Sequence, residues 1–194
     1  MSKSAATSTP IHPVLAARWS PRAFAPDRSL SMSELTPAFE AARWAPSAFN
    51  VQPWSYIVGF QGDATFERIA AGLNEWNRAW ASHAHALVVT CYEPADADGK
   101  PNPYALYDLG QSVASFSFQA HSDGLYVHQM AGLDAEQLRS ALNIPDNLSV
   151  FHVFAVGHLG DPEILPEKLA AREREPRTRR ELSAIVRQTP FGID

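Results

Sequence analysis

The sequence is poor in cysteine, in lysine and in long apolar runs. A single cysteine, Cys91, leaves no partner for an internal disulfide and no Cys-based zinc cluster, so a reducing, cytoplasmic setting is expected. No apolar segment approaches the roughly 18 residues a helix needs to cross a bilayer. Met1–Pro10 lacks the hydrophobic centre of a secretion signal, so no membrane partner is expected. Neither G-x-G-x-x-G nor a Walker A sequence occurs, which removes a Rossmann-bound dinucleotide. The formal net charge of −5 argues against nucleic acid as the main partner. Against three lysines stand 13 arginines. Arginine's planar fork suits bidentate phosphate binding, so a phosphate-bearing small molecule is the partner to look for. At 194 residues, 45% of them apolar and 19% charged, the chain is long and apolar enough for one domain with its own core.

Residues 1–10 are small and polar and read as a flexible N-terminal tail, followed by a single domain over 11–194. Three apolar runs read as buried strands: Ser55–Phe60, Ala86–Tyr92 and Val150–Gly157. Leu35, Phe39 and Ala42 recur at helical spacing behind a capping box at Ser31 and Glu34, although Pro37 implies a later start or an irregular helix. Asp134 caps a short helix that ends before Pro145, and Tyr107–Ser122 reads as a long helix stopped near Gly124. With so little polar surface, that helix is central or buried against another chain. The segment Arg172–Arg187 holds six arginines, with a partial apolar face at Leu182, Ile185 and Val186. Helices interleaved with few strands give an α+β class, with too few strands for a doubly wound sheet.

Two segments could carry chemistry. Arg18-Trp19-Ser20-Pro21-Arg22 brackets a hydroxyl with two arginines. Ala45-Pro46-Ser47-Ala48-Phe49-Asn50-Val51-Gln52-Pro53-Trp54 fixes its backbone with prolines and offers Ser47, Asn50 and Gln52 from a stiff loop, which suits the edge of a polar heterocycle. The alternative is a capped helix end and an ordered turn. Gly110-Gln111-Ser112-Val113-Ala114 partly resembles a nucleophile elbow near Asp108 and His121. A true elbow follows a buried strand and has glycine in fifth place, which this chain lacks. The seven histidines show no zinc-enzyme spacing, so they read as surface or capping residues and no metal is expected. Trp54 and Trp80 read as core aromatics.

Taken in order, these pieces resemble the nitroreductase family of FMN-dependent oxidoreductases. The R-x-S-x-R and A-P-S-x-x-N-x-Q-P-W segments are similar to its N-terminal signature. Asn77-Arg78-Ala79-Trp80, Tyr107-Asp108-Leu109-Gly110, Gly124-Leu125, Gly132-Leu133-Asp134 with Ile144-Pro145, Ala155-Val156-Gly157 and Arg179-Arg180-Glu181-Leu182 with Val186 continue the likeness over roughly residues 11–187. The resemblance implies a three-layer sandwich, with a mixed, mainly antiparallel sheet flanked by helices, in a domain-swapped homodimer with shared FMN sites.

It also implies site residues. Arg18 and Ser20 would hold the FMN phosphate with Trp19 between them, and the tail arginine closing over it would be Arg179, with Arg177 second. Arg22 would sit toward the pyrimidine edge, where a cation favours reduction. Asn77 stands where some relatives carry a second cation, which implies a lower potential. Ser47 and Asn50 would reach the flavin of the neighbouring subunit, with Pro46 and Gln52 further cofactor-binding residues of the same loop, and Met130, Ala131 and Gly132 would line the ring by backbone, near N5. The implied reaction is ping-pong: NADH or NADPH gives hydride to flavin N5, and a nitroaromatic or quinone-type acceptor then takes the electrons. No side chain acts as a catalytic nucleophile. The loop Glu93–Tyr104 falls where a substrate cover is expected. Reduction of an activated C=C or C=O group, dehalogenation, and non-catalytic FMN storage or sensing remain alternatives.

Overall fold

The computed structural model describes residues 3–189, so the ends of the expected tail and domain, 1–2 and 190–194, lie outside the described residues. One sheet holds β1 (Trp54–Phe60), β2 (Ala86–Tyr92), β3 (Tyr126–Met130) and β4 (Ser149–Gly157) in the order β1-β2-β4-β3. Registers such as Trp54 with Tyr92, Ala86 with Val156 and Met130 with Val153 make every pairing antiparallel. The expected class and mainly antiparallel sheet are present, and no parallel pair occurs among the described residues. The helices are α1 (Pro13–Ala17), α2 (Met32–Arg43), α3 (Ala64–Ala71), α4 (Glu75–Ala81), α5 (Ala105–Ser122), α6 (Ala135–Leu142) and α7 (Glu167–Arg174).

Alternation along the central strands divides the core in two. Leu87, Val89, Val153 and Ala155 face a cluster with Phe66, Ile69, Trp80 and Leu138, from α3, α4 and α6. Ala86, Val88, Phe154 and Val156 face Leu35, Ala38, Leu109, Val113 and Phe116, from α2 and α5. Helices therefore cover both faces, which is why β2 and β4 read as continuous apolar runs instead of alternating ones. The strand missing from the sequence reading is β3: only five residues long, it carries His128 and Gln129 in its middle.

Glu34 closes the start of α2, accepting from the Ser31 N–H at 2.9 Å and the Ser31 hydroxyl at 2.7 Å. These bonds lower the Glu34 pKa. Pro37 neither delays nor divides α2. It sits in the second turn, and Thr36 donates its hydroxyl to the Met32 carbonyl at 2.8 Å. α5 buries Leu109, Val113 and Phe116 but leaves Tyr107 70% exposed, along with Leu106 and Phe118. The tail departs from the expected amphipathic helix. Pro176 forces Glu175 into extended backbone and ends α7, so Leu182, Ile185 and Val186 are exposed.

Candidate functional site

Arg18 caps the end of α1, its N–H bonded to the Val14 carbonyl, and its guanidinium donates to Ser20 Oγ at 3.4 Å. Because Pro176 stops α7, the tail runs alongside, and Arg177, Thr178 and Arg179 join Lys3, Arg18, Trp19, Ser20, Arg22 and Glu173 around a cavity of about 300 Å³. Burial first, then Arg177 and Arg179, lower the Arg18 pKa, and burial and Arg179 lower that of Arg177. Like charges thus crowd one cavity, and none of these three arginines has a carboxylate partner among the described residues. Such a site favours a polyvalent anion, and a phosphate fits its donors.

The arginines differ in what else they do. Arg177 donates to the Lys3 carbonyl at 2.8 Å and the Ala16 carbonyl at 2.7 Å, which makes it a brace between chain segments. Arg179 donates to the neighbouring Thr178 carbonyl and is exposed. Arg22 meets Glu173 at 3.3 Å and lies over the Trp80 ring at 5.9 Å. Glu173 is 1% exposed, and burial raises its pKa despite Arg22 and Lys3. Desolvation outweighs attraction there because the pair is long and leaves Glu173 Oε2 and Arg22 Nε without partners. Trp19 is buried edge-on to Tyr126, with ring centroids 6.2 Å apart. His128 packs 4.5 Å from Trp80 and donates Nδ1–H to the Pro21 carbonyl at 2.9 Å. Burial, then Arg22, depresses its pKa to about 4.

A second group adjoins through Trp80 on α4. Asn74 caps α4, its Oδ1 accepting from the Asn77 N–H at 2.8 Å, and Asn77 Nδ2 donates to the Gly132 carbonyl at 3.1 Å. A Cβ on Gly132 would lie 2.1 Å from Asn74 Nδ2, so a larger residue there would push the Asn74 and Asn77 side chains from their places. Met130 points into the core, whereas Ala131 is exposed. The 130–132 strip is therefore placed by Asn74, which the sequence reading missed although Asn-x-x-Asn ahead of a helix is a capping spacing, and by Asn77.

The 46–52 loop lies elsewhere. Ser47 Oγ accepts from the Gln52 N–H at 3.1 Å, Gln52 Nε2 donates to the Asn50 carbonyl at 3.0 Å, and the Ala48 N–H donates to buried Asp108 at 3.0 Å. Phe49 (φ 53°), Asn50 (φ 58°) and Gln52 (φ 54°) are left-handed, which strains non-glycine residues. Phe49 is also 93% exposed, and Pro46 is exposed with it. Phe49 and Val51 border a second cavity, of about 430 Å³, whose other wall is the 93–104 loop. Asp108 ties the 46–52 loop to the start of α5. Arg18 lies by the other end, where its charge helps depress the pKa of His121. At 1.5 Å per residue the stretch from Asp108 to His121 is roughly 20 Å. One chain thus brings Arg18, Ser20, Arg22 and Arg179 together but keeps Ser47, Asn50 and Gln52 apart from them.

Ser112 is fully buried on α5, donating to the Ala42 carbonyl at 2.9 Å and lying 2.6 Å from the Tyr56 hydroxyl, which is no nucleophile elbow. Among the described residues no three His, Cys, Asp or Glu side chains gather to hold a metal ion, and no helix is long and apolar enough to cross a membrane.

The model of the nitroreductase family matches residues 15–79, a stretch that contains Arg18, Ser20, Arg22, the 46–52 loop and Asn77. A solved oxidoreductase described as containing FMN is similar at a TM-score of 0.89 and 32% identity, over 95% of this chain and 94% of that one. The chain belongs to the nitroreductase family. Membership places it among oxidoreductases. An uncharacterized 15.4 kDa protein in the ask 5′ region of Mycolicibacterium smegmatis is 36% identical over 139 residues, 68% of this chain and 92% of the relative. The oxygen-insensitive NAD(P)H nitroreductase of Salmonella typhimurium is 30% identical over 112 residues, 48% of this chain and 52% of that enzyme.

Proposed function

We propose that the protein is an FMN-dependent oxidoreductase that uses NADH or NADPH to reduce a small nitroaromatic or quinone-type acceptor, working as a homodimer. The observation that carries this reading is the crowding of Arg18, Arg177 and Arg179 around one cavity beside Ser20, with no carboxylate partner of their own among the described residues. Arg18, Ser20 and Arg179 take the phosphate by charge-assisted bonds. Trp19 and Arg22 flank it, and Asn77 and the 131–132 backbone position the ring. When bound, FMN supplies hydride acceptance from the nicotinamide and delivery to the acceptor. Arg22, paired with Glu173, offers a muted positive field to negative charge that develops on reduction.

Pro46, Ser47, Asn50 and Gln52 serve the partner's site. Their separation from Arg18, and the exposure of Phe49, Tyr107 and Phe118, suit a surface that another copy covers. The 93–104 loop borders the acceptor's approach. A cytoplasmic location is proposed from the one, buried, free cysteine.

The test is the visible spectrum of the purified protein. Flavin bands that bleach anaerobically with NADH or NADPH and return on adding menadione or a nitrofuran are expected. A flavin that stays oxidised overturns the reductase reading, and a colourless protein that takes up no FMN overturns the cofactor. Asn50→Ala should alter the flavin spectrum, and a stable holo-monomer in sedimentation overturns the shared site.

A further inference from the structure

Residues 3–5 fall in the segment expected to be a flexible tail, yet two independent contacts tie them down. The Ala5 N–H donates to the Ala16 carbonyl at 2.8 Å. The same carbonyl accepts from Arg177, whose Nη1 also holds the Lys3 carbonyl at 2.8 Å. The start of the chain, the end of α1 and the tail therefore converge on one carbonyl. This arrangement aims the Lys3 side chain into the arginine cavity, where Nζ lies 2.5 Å from the Glu173 carbonyl and 4.7 Å from the centre of the Trp19 ring.

We propose that residues 3–5 form a strap that is the outer wall of the anion site, with Lys3 as a further phosphate ligand and Arg177 as the clasp that holds the strap. An ammonium has three donors, and the Glu173 carbonyl uses one, so two remain for a ligand. Arg177 has its recorded bonds on backbone carbonyls, so it is a positioning residue and Lys3 takes the ligand role that its place in the cavity would otherwise suggest for it. Lys3 has a second electrostatic task. The buried Glu173 carboxylate would repel a phosphate dianion, and Lys3 with Arg22 offsets it. Strap order and phosphate binding are then reciprocally linked.

This inference rests on the FMN reading, and the test separates the two. Apoprotein is titrated by fluorescence with FMN and with riboflavin, which lacks the phosphate, while exchange of the Ala5 amide is followed in parallel. Lys3→Ala should weaken FMN about 3- to 10-fold, in the range of one partly exposed charge-assisted bond, and leave riboflavin unchanged. Lys3→Arg should keep most of the affinity. Arg177→Ala should speed Ala5 exchange and weaken FMN together. In the wild type, FMN but not riboflavin should slow that exchange. A wild type that prefers FMN, paired with a Lys3→Ala variant of equal preference, overturns the strap while leaving the cofactor standing. A wild type that binds FMN no better than riboflavin overturns the phosphate pocket and the strap with it.

Discussion

Arg18, Arg177 and Arg179 lie in ordinary backbone but conflict in charge, whereas Phe49, Asn50 and Gln52 are neutral and conflict with their own backbone, each at a φ above 50°. On the proposed reading, the first group is completed by an anion. The 46–52 loop is held by hydrogen bonds inside the chain, yet it keeps a large aromatic in water at a left-handed φ that costs roughly 1–2 kcal/mol. Both are ways of holding binding groups in place, and they imply different sensitivities. Removing Arg18 or Arg179 from the charged group should cost ligand and not fold, whereas Arg177 also braces Lys3 and Ala16; removing a support from the strained loop should cost fold first.

Acid is the largest lever on the arginine side. His128 is neutral in the folded protein, with a pKa near 4 against an ordinary 6.5. Its contribution is fully present above pH 6.5 and is lost as pH falls toward 4, on the order of 3 kcal/mol by linkage. His152, also near 4 through burial, adds to the loss. Denaturant melts between pH 7.5 and 4.5 should show the decline, and His128→Gln should make it shallower. An unchanged slope in that variant removes His128 from the account. Next in size, Arg18→Ala should weaken FMN roughly 10- to 100-fold while apoprotein stability stays level or rises slightly, because a repulsive neighbour has gone. A folding loss as large as the binding loss would erase the contrast. Smaller again, Asp108→Ala leaves the Ala48 N–H without its acceptor and should cost about 1–2 kcal/mol in thermal or denaturant melts. Asp108→Asn should restore most of that loss, and equal losses for the two variants would show that the bond to Ala48 is not what holds the loop.

What could be read from sequence follows the range of the forces involved. β1, β2 and β4 were legible because burial on both faces wrote unbroken apolar runs, and the Ser31–Glu34 cap because it closes within one turn. β3 was hidden because His128 is held there by packing against the Trp80 ring at a tilt, a contact across 48 positions. The two arginine-bearing segments could be picked out, but not the division of labour between Arg177 and Arg179. That depends on which carbonyl the tail meets after Pro176, and Ala16 lies 161 positions away. Lys3 was invisible for the same reason. Asp108, marked in the sequence as a neighbour of Ser112 and as part of the Tyr107–Gly110 family segment, supports the 46–52 loop across 60 positions. Local chemistry could be read, and contacts made at a distance could not.

On the proposed reading, the cavity that gathers Arg18, Arg177 and Arg179 also has a consequence at the bench. Any polyvalent anion in the buffer would then be a competitor and a stabiliser, raising apparent stability with concentration as binding to the folded form alone requires. On the proposed reading a melt in phosphate would report the salt together with the fold, and long washing in phosphate would draw FMN away. The flavin colour expected of the purified protein would then depend partly on the anion in which it was prepared, and a zwitterionic buffer would give the fairer view.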